Sequence, residues 1–353
     1  MIPLQTSDLI WYGLSFLTAA ALVVYVTPLT IRVANTFKIH DAPDGRLKKH
    51  EAPIPYLGGL AVAAAFVITF SLLSTSESID YRALGILAGG FMMLLLGLYD
   101  DLINLSPSVK FLGQLLATIA LYKSGVRIEI AALDNWTNLA LTILWVTGIT
   151  NAFNLIDVMD GLTAGVACLA SLFLFVISAT LGNDEVVPFM AIVMAGTLVG
   201  FLRFNIAPAR IFLGDTGSLF IGFMLGALTM LVSYSPNNRL AVVTPVVLLA
   251  VPIFDTVFVA VQRFRKGIPF FRGSPDHFAL RLAHSGLGVH DTVAAIFRVC
   301  IGLGMIALLL VFGPASWAPW ALAFVGAVAV VAMVWLGRLP APGDETSSPP
   351  PSS

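Results

Sequence analysis

The sequence predicts an all-α, polytopic integral membrane protein of about eleven transmembrane helices, and three observations predict it. Of 353 residues, 58% are hydrophobic and only 11% charged, with a mean hydropathy of +0.91, more apolar than a single soluble core requires. The apolar residues recur in blocks long enough to cross a hydrocarbon layer of about 30 Å. The basic residues fall in alternate connections between those blocks, the asymmetry expected of loops sorted by the positive-inside bias.

The blocks justify themselves in order. The first, 9–34, follows the acidic Asp8 and lacks a small-residue cleavage site, so it reads as an anchor rather than a removable leader. Blocks at 56–74 and 82–99 follow, then 109–123 and 138–153, which are short or interrupted by polar residues. Those at 162–181, 187–204, 216–234, 240–262, 293–312 and 317–337 are separated by turn-rich links such as "LGNDE" and "SPNNRL". Residues 126–135 read as a small hairpin or interfacial segment. Only Arg82, Lys123, Arg127 and Arg239 of the 19 basic residues lie on one face. The other face is therefore cytoplasmic, the N-terminus is outside and the C-terminus inside. This gives one catalytic domain over 1–338 with cytoplasmic loops at 35–55, 100–108, 153–162, 204–216 and 263–292, and a Pro/Ser-rich disordered tail over 339–353. Cys168 and Cys300 sit inside apolar blocks as small buried hydrophobes. A net charge of -1 offers nothing to nucleic acid.

Polar residues break the pattern at five connections, all on the cytoplasmic side. "DAPDGRLKKHEAPIPYLGG" (41–59) sets Arg46, Lys48, Lys49 and His50 before Gly58-Gly59 at a helix start, which suits phosphate oxygens; the plainer reading is a basic loop touching anionic lipid. Asp100 and Asp101 close an apolar block, and adjacent carboxylates repel unless a divalent cation or a base stands near, or water solvates the helix end. In "NAFNLIDVMDGL", Asn151, Asn154, Asp157 and Asp160 recur every third residue; the first three share a helical surface and Asp160-Gly161 lies where the helix turns out, a set suited to a metal's water shell, a polar ring or a helix contact within the bundle. Asp215, in "FLGDTGSLF", stands where a helix begins, as a ligand or a cap. His277 and Arg281 lie four apart in the last basic loop, suited to pyrophosphate or to an interfacial helix. Asp255, near Pro252, reads as a helix partner or as a group supporting a ligand rather than as a ligand itself.

Carboxylates without thiolates suit a hard cation, Mg2+ or Mn2+, and the basic groups suit a diphosphate. The five segments resemble, in order from about residue 30 to 290, the signatures of the polyprenyl-phosphate N-acetylhexosamine-1-phosphate transferases. The resemblance implies transfer of a sugar 1-phosphate, GlcNAc foremost, from a UDP-N-acetylhexosamine to undecaprenyl phosphate with release of UMP, in the bacterial inner membrane. It implies Mg2+, with Mn2+ as an admissible substitute, membrane lipid as a partner and a homodimer as an admissible assembly. It places Asp100 and Asp101 at the lipid phosphate, with Asp100 as a base, and Asp215 with Asp157 at the metal. Asn151, Asn154 and Asp160 belong to its nucleotide region, Phe212 to a ring packed on uracil, and Lys48, His50, His277 and Arg281 to its diphosphate contacts. The chain departs from the pattern at Val158, where the signature has Gly, at Ala279 and Leu280, where it has His, and at an extra Leu47. Two other readings are a UDP-MurNAc-pentapeptide transferase and a cation-coupled transporter of an anionic solute. The acids disfavour transport because they cluster at helix ends rather than mid-bilayer.

Overall fold

The computed structural model describes residues 5–41, 53–74, 80–182, 184–235, 238–267 and 276–341. In chain order the helices are α1 (Thr6–Phe37), α2 (Gly58–Leu73), α3 (Tyr81–Ile103), α4 (Pro107–Lys123), α5 (Asn135–Leu155), α6 (Leu162–Leu181), α7 (Val186–Asn205) and α8 (Gly214–Leu231). After a 3-10 turn, Arg239–Val243, come α9 (Thr244–Leu248), α10 (Ala250–Lys266), α11 (Phe278–Leu282), α12 (Gly288–Phe312) and α13 (Ala318–Gly337). A two-residue antiparallel pair, β1 (His40–Asp41) with β2 (Ile54–Pro55), sets His40 opposite Pro55. Sequence periodicity cannot register so short a pairing.

Each of the eleven apolar blocks falls on a helix or, for 240–262, on the α9–α10 pair. Among the described residues seven helical stretches are long and apolar enough to cross a membrane, eight if that bent pair is one span, so the chain is an all-α multi-pass membrane protein. The blocks differ from ideal spans for visible reasons. α2 and α4 have 16 and 17 residues, or roughly 24–26 Å of rise, and α5 carries Asn138, Thr142, Thr147, Thr150, Asn151 and Asn154. Between α9 and α10 the axis bends by 69°, because Pro252 has no N–H for the Leu248 carbonyl and its ring crowds that oxygen.

Residues 126–134 form turns rather than a paired hairpin. The Asn138 amide accepts from Ile130 N at 3.1 Å, while Asp134 caps α5. The end of the chain also departs from expectation, since Ala341 is fully buried rather than part of a loose tail; residues 342–353 lie outside the described residues.

The core is built around α8, whose residues from Thr216 to Thr229 are all buried, with α2, α3 and α5 packed against it and α6–α7 behind. By contrast α13 buries only Ala318 and Leu336; a helix apolar all round and so little covered belongs in lipid. Glycines let α2 and α3 close on the start of α8. A Cβ on Gly59 would lie 2.2 Å from the Gly217 nitrogen, and one on Gly97 2.4 Å from the Asp215 carbonyl oxygen.

Gly59→Ala should therefore force α2 off α8 and destabilise the fold by about 1–3 kcal/mol, seen as a lower melting temperature in detergent. Gly148→Ala, in α5 with nothing within 4 Å of the added carbon, should leave it unchanged or raise it, since alanine favours helix by up to about 1 kcal/mol.

Candidate active site

The first turn of α8 needs partners for its backbone N–H groups, and α3 supplies them. Asp101 accepts from the Asp215 and Thr216 amides at 2.9 and 3.0 Å and from the Thr216 hydroxyl at 2.6 Å. It is a helix cap provided from another helix, with its negative charge at the positive end of the α8 dipole. Gly214 has φ +68°, and a Cβ there would stand 2.6 Å from an Asp101 carboxylate oxygen. The Tyr56 hydroxyl donates to the Asp101 carbonyl at 2.8 Å, tying the entry to α2 into the same corner.

Asp100, one residue earlier, faces a different neighbour. It accepts from Leu105 N at 2.6 Å and from Lys110 Nζ at 2.7 Å. That ammonium also donates to Asp215 Oδ2 at 2.5 Å, while Asp215 Oδ1 accepts from Asn154 Nδ2 at 2.8 Å. Asn154 reaches the Ser218 hydroxyl too, at 2.9 Å. One turn back along α4 and α5, Gln114 and Asn151 exchange two amide hydrogen bonds, of 3.1 and 2.7 Å. Four helices thus meet in one polar network: α3, α4, α5 and α8.

The loop after α5 closes a second side. Asp160 accepts from Ala209 N at 2.8 Å, and Gly161 N donates to Asn205 Oδ1 at 3.1 Å. The 206–213 loop is in turn sewn to β2 and α2 by Phe212 N to the Pro55 carbonyl and Gly58 N to the Phe212 carbonyl, at 2.8 and 2.9 Å. Asp157, inside this fold of chain, has its carboxyl pushed up to about 7, chiefly by burial and further by the charges of Asp215, Asp101 and Asp160. Surplus negative charge is concentrated here.

The structure therefore brings together Asp100, Asp101, Asn154, Asp157 and Asp215, with Asn151 one turn behind and Asp160 and the half-buried Phe212 in the walls. His277 is 4% exposed, its Nδ1 lying 2.7 Å from Asp255 Oδ2, so Asp255 engages one ring nitrogen and not the other. Arg281 is turned instead toward Asp276 and the Leu339 carbonyl, at 2.8 and 2.6 Å. Lys48 and His50 lie outside the described residues. Val158 has no positive φ; among the described non-glycine residues only Lys38 and Asn104 do. The departure from Gly at that position thus strains no backbone.

Two residues escaped the sequence reading as site residues, Lys110 and Gln114. Lys110 counted there only as a topological charge, yet a lysine one turn inside an apolar helix, four residues before a glutamine, already marked a polar stripe on α4.

Residues 83–233, from α3 to the end of α8, match the profile of glycosyl transferase family 4. Over 293 residues the chain is 34% identical to the probable undecaprenyl-phosphate N-acetylglucosaminyl 1-phosphate transferase of Bacillus subtilis, covering 81% of each chain. The chain belongs to glycosyl transferase family 4. It is also 30% identical over 362 residues to the decaprenyl-phosphate N-acetylglucosaminephosphotransferase of Mycolicibacterium smegmatis, covering 92% of this chain and 87% of that one. A phospho-N-acetylmuramoyl-pentapeptide-transferase of Heliobacterium modesticaldum is 31% identical over 300 residues, 76% of this chain and 88% of its own. The segment that matches the family 4 profile contains the whole Asp100–Lys110–Asn154–Asp157–Asp215 cluster and ends before α10, where the His277 support begins.

Asp101→Ala should strip the cap from α8 and leave buried amides without a partner, at about 1–3 kcal/mol. The melting temperature in detergent should fall, whereas Asp101→Asn, which keeps an acceptor, should lose less.

Proposed function

We propose that the protein transfers N-acetylglucosamine 1-phosphate from UDP-N-acetylglucosamine to undecaprenyl phosphate, releasing UMP, as the first membrane step of envelope polysaccharide synthesis. The observation that carries this is the ion-paired cluster of Asp100, Lys110 and Asp215 fixed by Asn154, in a chain two of whose relatives, at 34 and 30% identity, are named for that sugar phosphate. In this reading the chain crosses the bacterial inner membrane eleven times, N-terminus outside and C-terminus inside. The cluster then lies at the cytoplasmic surface, where a soluble nucleotide sugar and the head of a lipid phosphate can both arrive. The balance of basic residues between the two faces supports that orientation.

The donor set fits Mg2+. Asp215 and Asp157 are carboxylates in surplus negative charge, and Mg2+ is commonly held by one or two carboxylates, waters and substrate phosphate oxygens rather than by a closed protein cage. When bound, it neutralises the donor diphosphate and the charge of departing UMP.

The chain's own groups do the remainder. A lipid phosphate oxygen attacks the β-phosphorus of the UDP-sugar; the new O–P bond forms as the bond to the UMP oxygen breaks, and UMP leaves with that electron pair. The phosphate monoester already ionises with a second pKa of about 6, so placement matters more than strong base. Asp100 orients it and takes any remaining proton, and Lys110 draws the phosphate toward the cluster. Asn154 holds Asp215 in register, and His277, oriented by Asp255, meets the diphosphate. Both Asp101 oxygens are engaged by α8, and Asp100 is engaged by Leu105 N and Lys110; this favours direct attack over a phosphorylated aspartate.

The test is release of labelled UMP in detergent, with undecaprenyl phosphate and Mg2+, from UDP-GlcNAc, UDP-GalNAc and UDP-MurNAc-pentapeptide. Wild type should turn over UDP-GlcNAc first, and Asp215→Ala and Lys110→Met should each lose roughly 10²–10³ in kcat. Turnover without a sealed vesicle argues for a transferase over a transporter. No lipid-dependent release from any donor would overturn the proposal.

A pH dependence follows from Asp157. Its carboxyl keeps a proton up to about 7, and a cation that needs the carboxylate must displace it. Apparent Mg2+ affinity should therefore fall about tenfold per pH unit below 7 and level off above it. Calorimetric titration from pH 5.5 to 8.5 would show the slope, and Asp157→Asn should flatten it.

A further inference from the structure

The end of α13 is tied to the segment that carries His277. Arg281, in α11, is 3% exposed. Its Nη1 donates to the Leu339 carbonyl at 2.6 Å and, at a longer 3.5 Å, to that of Gly337. Its Nη2 donates to Asp276 Oδ1 at 2.8 Å, and the guanidinium carbon lies 5.6 Å from the centroid of the Phe258 ring. Asp276, the residue before His277, also accepts from Lys266 Nζ at 2.8 Å. One buried cation thus joins three elements: the exit of α13, the start of α11 and the middle of α10.

His277 is held from the other side by α10. Asp255 takes its Nδ1 and also accepts from Phe278 N at 3.2 Å. The imidazole therefore sits on a short segment clamped twice, once through Asp255 and once through Asp276 and Arg281. Burial pushes the Asp276 carboxyl up, but Lys266 and Arg281 outweigh it and hold it below the usual carboxylate range, so it stays an anion. A guanidinium 3% exposed, with Nη1 on a carbonyl, Nη2 on a carboxylate and Nε buried without a partner, is ill placed to grip a diphosphate as well. What it can do is fix geometry.

We infer that Arg281 is a positioning residue rather than a diphosphate ligand, and that residues 337–341 at the exit of α13 belong to the device that sets His277 against the donor. The inference rests on the transfer reaction proposed above and on His277 meeting the diphosphate in it. A helix otherwise immersed in lipid then has a purpose beyond anchoring: its last carbonyls close the clamp. Ala341, fully buried, marks how far that packed segment runs.

The experiment compares UMP release by the full chain, by chains ending after Leu336 or after Ala341, and by Arg281→Lys and Arg281→Met, each with and without His277→Ala. Ending after Ala341 should preserve kcat. Ending after Leu336, or Arg281→Met, should lower kcat about tenfold while the donor KM moves less than about threefold. Arg281→Lys, which keeps the charge toward Asp276 but not the fork, should fall between. In the His277→Ala background these changes should cost almost nothing further, because groups that act through one another are not additive. Should Arg281→Met fail to fold, the chain ending after Leu336 carries the same cycle. Active wild type whose losses multiply in the cycle, or whose donor KM rises tenfold in Arg281→Met, would overturn the clamp alone. Wild type that releases no UMP would remove the reaction and the clamp together.

Discussion

Carboxylates gathered at one end of an apolar bundle must be answered by donors or cations, and the rest of this structure is arranged around that demand. An uncompensated acid there would cost several kcal/mol. Asp101 is answered by the first amides of α8 and Asp215 by Lys110 and Asn154. The acids stand on α3 and α8 and the answers come from α4, α5 and α8, so satisfying the charge and assembling the bundle are one event. The glycines at 59 and 97 serve the same end, because they let α2 and α3 approach the α8 start to backbone contact.

Two adjacent acids consequently do different work. Along a helix, neighbouring residues point about 100° apart, so Asp100 meets Lys110 while Asp101 meets the α8 amides. One is committed to holding the architecture. The other is buried against Lys110, which ties it to Asp215. Asp157 and Asp160 divide in the same way: Asp160 ties its loop to Ala209, and Asp157 is left among like charges that a cation would relieve.

Much of this was legible beforehand. The helices matched the apolar blocks because burying backbone polar groups in lipid leaves little alternative to helix. The acids stood out because each interrupts an apolar run. Asp255 was legible as a helix partner for the same reason, and it holds His277. Lys110 passed as a topological charge, since a lone lysine near a helix end is ordinary in a membrane protein, although its spacing from Gln114 carried the signal. Arg281 misled because four-residue spacing from His277 places two groups on one face only if one regular helix carries both; His277 precedes α11 in extended backbone, and the arginine points to α13.

The sequence by itself determined the class of protein, the order of its helices and the residue types of its site, since hydrophobicity and local periodicity are properties of neighbouring residues. Tertiary structure alone decided that Asp101 rather than Asp100 caps α8, that Lys110 bridges Asp100 and Asp215, and that the exit of α13 reaches the His277 segment. Those facts depend on contacts between residues 10, 58 and 105 positions apart, whose directions are set by helix rotation and packing rather than by any local pattern.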